Sequence, residues 1–143
     1  MRKTAEWLVI FLIGSTAYSM LEILWRGYTH WSMTLTGGIC FAAVYALHIY
    51  AKTLPFALRC IFGALAITAA EFSAGCIVNL WLGWKVWDYS RVPLNILGQI
   101  CPLYSLLWCV LCALADPLCR HLAKALIPGK NVRFSCQSGN SVV

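Results

Sequence analysis

The hydrophobic positions of this chain form four long runs, separated by short polar or glycine-containing segments. The runs cover about residues 6–25, 35–50, 56–82 and 96–115. A helix that crosses a bilayer needs about 20 predominantly apolar residues, and each run approaches that length. Pro117 is expected to end the fourth helix at Asp116, because proline disfavours helix in the residue before it. The pattern predicts an all-α integral membrane bundle of four transmembrane helices.

Composition leaves no room for a separate soluble domain. The 143 residues are 61% hydrophobic and 11% charged, whereas soluble domains are about 45–50% apolar and about 25% charged. We therefore predict a transmembrane domain at residues 1–117 and a basic cytoplasmic tail at 118–143, disordered towards its end. The basic start of the first run resembles a signal peptide, but its length favours an uncleaved helix.

Basic residues are distributed unevenly between the predicted connections. If both termini lie on one side, that side holds eight of the 11 lysines and arginines, and Arg26, Lys85 and Arg91 lie on the other. By the positive-inside rule the termini are cytoplasmic, in a multi-pass protein of the cell membrane. The net charge of +6 thus reflects topology, and no nucleic-acid partner is predicted.

Two glutamates, Glu22 and Glu71, fall inside predicted spans. Ionisable residues at membrane depth are rare, and they usually face a bundle interior or a polar cavity. Glu22 precedes Arg26 by four residues, so either a local ion pair or a functional site is expected. Glu71 should be protonated or paired on another helix, with Arg26, Arg59 and His48 as candidate partners. Asn79 completes this candidate intramembrane site.

A second candidate site is the polar and aromatic segment before the fourth run. It contains Trp87, Asp88, Tyr89, Ser90, Pro93, Asn95 and Gly98. Asp88 is expected to accept from backbone N–H groups or pair with Arg26 or Arg91, and Asn95 to cap the fourth helix. One interpretation is an interfacial segment that positions that helix; the alternative is a substrate or partner surface. Its aromatic residues predict that it folds back over Glu22 rather than extending into solvent.

Other motifs give little evidence of chemistry. Most of the eight cysteines lie in apolar runs, where cysteine behaves as a small hydrophobic residue. Cys109 and Cys112 have metal-ligand spacing but apolar neighbours, so no metal or other cofactor is predicted. No catalytic arrangement and no phosphate-binding loop can be recognised, so an enzyme is not expected.

A weak internal repeat links the two halves of the chain. Gly37-Gly38-Ile39-Cys40 and Gly98-Gln99-Ile100-Cys101 each open a predicted span, and each follows an intramembrane glutamate. The matches favour two parallel helix-hairpin repeats, an arrangement that transporters use. Chance similarity between apolar sequences is the alternative.

These residues together resemble a known family. The segment Trp87-Asp88-Tyr89-Ser90, followed by Pro93, Asn95, Gly98, Ile100 and Cys101, is similar to the signature of the bacterial putative ABC-transporter type IV family. Glu22, the Gly37-Gly38-Ile39-Cys40 motif, and Glu71 with Gly75 extend the resemblance over residues 18–117. It implies a permease-like membrane protein and supplies no catalytic residues.

The expected function is a small permease-like transporter subunit that acts as an oligomer in the lipid bilayer. Four helices enclose little space, so a transport pathway needs a second copy or another membrane subunit. Because the chain lacks its own phosphate-binding loop, energy from ATP would require a separate ATPase subunit. The competing hypothesis is a non-transporting scaffold or accessory protein that binds a membrane partner.

Overall fold

The chain forms four long helices, described here from a computed structural model. The structure describes residues 2–126, with side chains from Thr4 onward. The helices are α1 (Arg2–Arg26), α2 (Trp31–Tyr50), α3 (Phe56–Gly75) and α4 (Pro102–Leu126), and α3 continues as a π-helical segment, Cys76–Trp81. All four are long and apolar enough to cross a membrane, and the described residues form no strand. The all-α prediction with four candidate spans is confirmed.

Two ends of the bundle can be distinguished. The loop end carries the α1–α2 connection and residues 82–101, which link α3 to α4; the terminal end carries the start of α1, the α2–α3 connection and the end of α4. Helix packing runs from α1 to α2, from α2 to α3 and from α3 to α4, whereas α1 and α4 make few direct contacts. The bundle is therefore open between α1 and α4.

Three buried clusters hold the helices together. At the terminal end, Ile10, Tyr45, Cys119 and Ala123 join α1, α2 and α4. The middle cluster is built around Cys40, Cys60, Ile67 and Cys112, and the loop-end cluster around Met33, Val78, Val86 and Trp87. The cysteines in these clusters are free thiols that pack as apolar side chains.

Helices α2 and α4 begin at residues other than those that the sequence predicts. Helix α2 begins at Trp31 rather than at residue 35, and the backbone N–H of Ser32 donates to the His30 imidazole that caps it (3.3 Å). Helix α4 begins at Pro102 rather than at residue 96. Proline fits the first helical position, where its missing N–H would have no intrahelical acceptor.

The predicted end of α4 at Asp116 is wrong. The helix continues through Pro117 to Leu126. Two residues of the turns beyond the proline, Cys119 and Ala123, are buried in the terminal-end cluster. This tertiary packing outweighs the local preference of proline, so the boundary proposed at 117/118 lies inside a helix. The remainder of the predicted tail, residues 127–143, lies outside the described part of the chain.

Five tryptophans lie at the loop end, and four of them are exposed, as in the aromatic belts found at membrane–water interfaces. Trp25, Trp31, Trp81 and Trp84 are exposed, whereas Trp87 is 7% exposed and belongs to the core.

The internal repeat remains a prediction that the fold does not test. Gly37 and Gly38 lie within α2, while Gly98 and Gln99 precede α4 in an irregular segment.

Candidate functional site at the loop end of the bundle

Glu22 and Arg26 form the ion pair that their spacing predicts. An Arg26 terminal nitrogen lies 2.7 Å from Glu22 Oε1, and Thr29 donates its hydroxyl to Glu22 Oε2 (2.6 Å). The other terminal nitrogen of Arg26 donates to the Val86 carbonyl (2.9 Å). The pair therefore ties the last turn of α1 to the segment that follows α3.

Glu71 faces the bundle interior, and its partners differ from those expected. Its side chain is 3% exposed. The carboxylate accepts hydrogen bonds from the Tyr18 hydroxyl (2.9 Å) and from Trp108 Nε1 (2.7 Å). The proposed partners Arg26, Arg59 and His48 make none of these contacts. Two neutral donors from α1 and α4 thus satisfy Glu71, where the sequence predicts either a protonated carboxyl group or a basic partner.

Tyr18 and Trp108 stack on each other between α1 and α4, with ring centroids 5.8 Å apart. They also line a cavity of about 290 Å³ that occupies the gap between these helices. The cavity is mostly apolar and aromatic, with Glu22 and Arg26 among its walls. Its lining residues are Tyr18, Leu21, Glu22, Trp25, Arg26, Met33, Trp87, Tyr89, Tyr104, Leu107, Trp108 and Leu111.

Only one of the two intramembrane glutamates lines this cavity. Glu22 lies in its wall, whereas Glu71 lies behind Tyr18 and Trp108 and is not part of the lining. The two aromatic side chains hydrogen-bond to Glu71 while contacting the cavity. They therefore separate Glu71 from the cavity that Glu22 lines.

Asn79 anchors the following loop and does not line the cavity. Its amide nitrogen donates to the Trp87 carbonyl (3.1 Å) and to Gln99 Oε1 (2.7 Å), and its Oδ1 accepts from the Val86 N–H (2.6 Å). The π-helical segment that ends α3 places Asn79 where it can make all three bonds. Its predicted grouping with Glu22, Arg26 and Glu71 is therefore replaced by a role in holding the loop.

The loop packs closely against α3 at Gly75. A Cβ atom there would lie 2.5 Å from Gln99 Oε1 and 2.9 Å from a ring carbon of Trp87. The Trp87 indole N–H donates to the Gln99 carbonyl (2.9 Å). The loop is therefore docked on the bundle, and only a residue without a side chain fits where it contacts α3. Trp87 and Tyr89 form the part of the cavity wall that the loop contributes.

The outer part of the loop is a set of tight turns. Asp88 accepts from the Ser90 N–H (2.8 Å) and from the Ser90 hydroxyl, and these bonds hold the pKa of Asp88 below its usual value. The side chain is exposed and pairs with neither Arg26 nor Arg91, so only the backbone part of that prediction is right. Gly98 takes a left-handed φ of +69° beside the Asp88 carboxylate.

Asn95 does not cap α4, because that helix begins seven residues later. Instead its amide nitrogen donates to the carbonyls of Ser90 and Val92 (3.2 and 2.9 Å), and its Oδ1 accepts from the Gly98 N–H (3.0 Å). Pro93 lies between these partners and is exposed. Tyr89 stacks on Tyr104 of α4 at 4.5 Å between centroids, and burial raises the pKa of Tyr89.

Replacing Asn79 should release the loop. In Asn79→Leu, the Val86 N–H loses its acceptor and the Gln99 and Trp87 acceptors lose a donor. We expect a loss of about 1–3 kcal/mol, the usual cost of leaving buried polar groups unpaired. Melting in detergent would measure it, with the exposed Leu80→Ala as a control on the same helical segment. A melting temperature equal to that of wild type would contradict the anchoring role.

The Asp88 turn should loosen in acid. Because the folded-state pKa of Asp88 is lowered, the turn is favoured above the ordinary pKa of the group and loses this contribution as pH falls through the folded-state value. The Ser90 amide resonance should report the change in an acid titration by NMR. In Asp88→Asn the pH-dependent shift should disappear. A Ser90 resonance that titrates identically in the variant would exclude Asp88 as its cause.

A second buried polar cluster, at the terminal end, was not recognised from the sequence. Asp116 is 7% exposed, and its Oδ1 lies 3.1 Å from His48 Nδ1 and 3.6 Å from an Arg59 terminal nitrogen. Its Oδ2 lies 2.9 Å from a terminal nitrogen of Arg120, one turn later. A cavity of about 20 Å³, roomy enough for a single water molecule, adjoins His48, Arg59 and Asp116.

The sequence signal for this cluster is Asp116 itself. Because it precedes Pro117, the sequence predicts that Asp116 ends the fourth helix. An uninterrupted helix instead places the carboxylate inside the bundle, opposite basic residues of α2 and α3.

Comparison with known proteins supports the resemblance drawn from the loop and the two glutamates. The model of the family described as "Putative ABC-transporter type IV" matches residues 9–135, most of the chain. The chain belongs to this family. No curated protein and no solved structure matches it. For this member of the type IV family, the match includes most of α1, the other three helices, the docked loop and both polar sites.

Proposed function

We propose that this type IV family member is a permease-like transporter subunit whose substrate site is the cavity between α1 and α4. The observation that supports this most strongly is the composition of the cavity wall. It joins an apolar and aromatic surface to the Glu22–Arg26 pair within a bundle of membrane-length helices. Ligand pockets commonly combine mostly apolar walls with a few charged groups that orient the ligand.

The open side of the cavity supports action as an oligomer. The backbones of α1 and α4 rarely approach each other, so lipid or a second subunit would cover the part of the gap that the Tyr18–Trp108 stack does not fill. A second copy, or another membrane subunit, would convert a lateral groove into an enclosed passage. We propose no catalytic activity for this chain.

We also propose a separate ATPase subunit as a partner, because the family is described as an ABC-transporter family. In the proposed orientation the terminal end is cytoplasmic, and exposed Lys52 and Lys124 give it a basic surface. The connection between α2 and α3 is only five residues long, so the end of α4 and the tail beyond it would provide most of the contact.

Access from both membrane faces would test transport. In a background lacking native cysteines, Leu107→Cys places a thiol in the cavity wall, and Leu114→Cys places one on an exposed face of the same helix outside the cavity. An impermeant maleimide should label position 107 both in intact cells and in inside-out vesicles. It should not label position 114 in either. Labelling of position 107 from one face alone would refute a cavity that opens to both faces of the membrane, as transport requires.

The scaffold hypothesis is supported by a different observation, the closed environment of Glu71. Its carboxylate is buried and satisfied by two donors, and it does not line the cavity. Such a site can hold three helices together without handling a substrate. One-sided labelling at position 107 together with a stable folded protein would favour this second function.

The orientation predicts a simple labelling pattern. Asp88→Cys at the loop end and Lys52→Cys at the terminal end replace exposed side chains. With cytoplasmic termini, an impermeant thiol reagent added to intact cells should modify position 88 and leave position 52 unmodified. The reverse pattern would invert the proposed topology.

A further inference from the structure

Glu22 provides a carboxylate in the cavity wall, and Glu71 lies behind that wall. Glu22 and Glu71 provide two carboxylates, and Arg26 provides one guanidinium that is paired with Glu22. Glu71 makes no ion pair within the part of the chain that the structure describes. Its two partners are neutral donors, which stabilise a negative charge without cancelling it. Glu22 is therefore the carboxylate that a positive charge in the cavity can reach.

Arg26 and Glu22 are both engaged within the protein. The terminal nitrogens of Arg26 contact Glu22 and the Val86 carbonyl, and the two oxygens of Glu22 contact Arg26 and Thr29. Arg26 Nε has no hydrogen-bond partner among the described residues. The ion pair alone therefore does not select between a cation and an anion, and the choice depends on the other walls of the cavity.

The walls are suited to a cation with an apolar body. Six of the lining residues are aromatic: Tyr18, Trp25, Trp87, Tyr89, Tyr104 and Trp108. Aromatic faces attract alkylammonium groups through cation–π interactions, and clusters of such rings bind quaternary ammonium ligands. Leucines and Met33 provide the remaining apolar surface. At about 290 Å³, the cavity is at the small end of the range for ligand pockets, which is about 300–1,000 Å³.

We propose that the cavity between α1 and α4 binds an organic ammonium ion with an apolar substituent, held by Glu22 and the aromatic walls. This inference rests on the proposed function in treating the cavity as the substrate site. The ligand could be a free lipophilic cation or the head group of a choline lipid, since both present the same quaternary ammonium group.

Binding can be measured without a transport assay. The full chain in phosphatidylethanolamine nanodiscs, which have no net surface charge, would be titrated by calorimetry with benzyltrimethylammonium, and empty nanodiscs would be subtracted. Neopentylbenzene, the neutral isostere, and benzenesulfonate, an anion of similar size, are the matched ligands. The cation should bind saturably and at least about tenfold more tightly than either, the scale of one desolvated cation–π contact. Equal affinity for the neutral isostere, or preference for the sulfonate, would overturn the proposal.

Variants test which groups bind the cation. Glu22→Gln should weaken cation binding by about tenfold, the effect of losing a favourable charge contact. Tyr104→Leu should weaken it while leaving every charge in place. Glu6→Gln changes a carboxylate at the terminal end, hydrogen-bonded to Tyr45, and should leave affinity unchanged. If Glu22→Gln does not fold, Tyr104→Leu and the three-ligand comparison still decide. Unaltered affinity in Tyr104→Leu would refute the aromatic site.

A change of lipid distinguishes the two sources of the ammonium group. In phosphatidylcholine nanodiscs, which have the same zero net charge as phosphatidylethanolamine nanodiscs, weaker apparent binding of benzyltrimethylammonium would identify the lipid head group as a competing occupant. Unchanged binding would identify a free cation as the ligand. Saturable cation binding with one-sided labelling of position 107 would retain this site and refute the permease. Two-sided labelling without cation binding would retain the permease and refute this substrate class.

Discussion

Asp116→Ala should be among the most destabilising single substitutions in this protein. The buried carboxylate lies within 3.6 Å of nitrogen atoms from His48, Arg59 and Arg120. Its removal leaves the Arg59 guanidinium, whose side chain is 15% exposed, without that anion. Breaking a buried ion pair by removing one partner costs about 3–5 kcal/mol, and we expect an effect of that size in detergent melting or denaturant unfolding.

Two variants distinguish the loss of this charge from a general sensitivity of α4. Arg120→Ala removes a partner that is 42% exposed, and an exposed ion pair contributes about 0–1 kcal/mol. Asp116→Ala combined with Arg59→Met removes both charges of a buried contact and should recover part of the lost stability. If Asp116→Ala lowers the stability no more than Arg120→Ala does, by about 1 kcal/mol or less, the cluster has no structural role.

The number and kind of helices could be predicted from the sequence because lipid imposes a simple requirement. A spanning segment must satisfy its own backbone hydrogen bonds and remain apolar over a fixed length. The residues around Ile10, Cys40 and Cys112 meet this requirement whatever their tertiary neighbours are. Hydropathy alone therefore predicts four spans, and α1–α4 follow that prediction.

Helix boundaries and side-chain partners depend on contacts that hydropathy does not encode. Pro117 has a local preference that points to a helix end, but the burial of Cys119 and Ala123 outweighs it. Asn95 has the side chain of a helix cap, yet its bonds to Ser90, Val92 and Gly98 build a turn instead. Only the three-dimensional packing decides between such local alternatives.

The candidate site could be predicted only in part, because some of its contacts are local along one helix and others join residues that are distant in sequence. The Glu22–Arg26 pair is local, because four residues along a helix place both side chains on one face. Glu71 is bonded to Tyr18 and Trp108, which are 53 and 37 residues away in sequence. A tyrosine and a tryptophan in apolar runs give no sign that they donate to a buried carboxylate. Their role could be found only from the fold.

Glu71→Leu should also be strongly destabilising, because it leaves two buried donors without an acceptor. The Tyr18 hydroxyl and the Trp108 indole N–H both point at this carboxylate. An unsatisfied buried polar group costs about 1–3 kcal/mol, so the pair predicts a loss of about 2–6 kcal/mol. Glu71→Gln should be much milder. Its amide oxygen can accept from Trp108, and its NH₂ group can donate to a reoriented Tyr18 hydroxyl.

The partner residues provide the decisive comparison for Glu71. Adding Tyr18→Phe to Glu71→Leu removes one of the unpaired donors, so the double variant should be more stable than Glu71→Leu alone, although Tyr18→Phe by itself is destabilising. That reversal of sign is expected only if the hydroxyl and the carboxylate act on each other. Additive losses in a double-mutant cycle measured in detergent would contradict it. If Glu71→Gln folds like wild type but loses cation binding, the same carboxylate also supplies negative charge to the cavity that Tyr18 and Trp108 line.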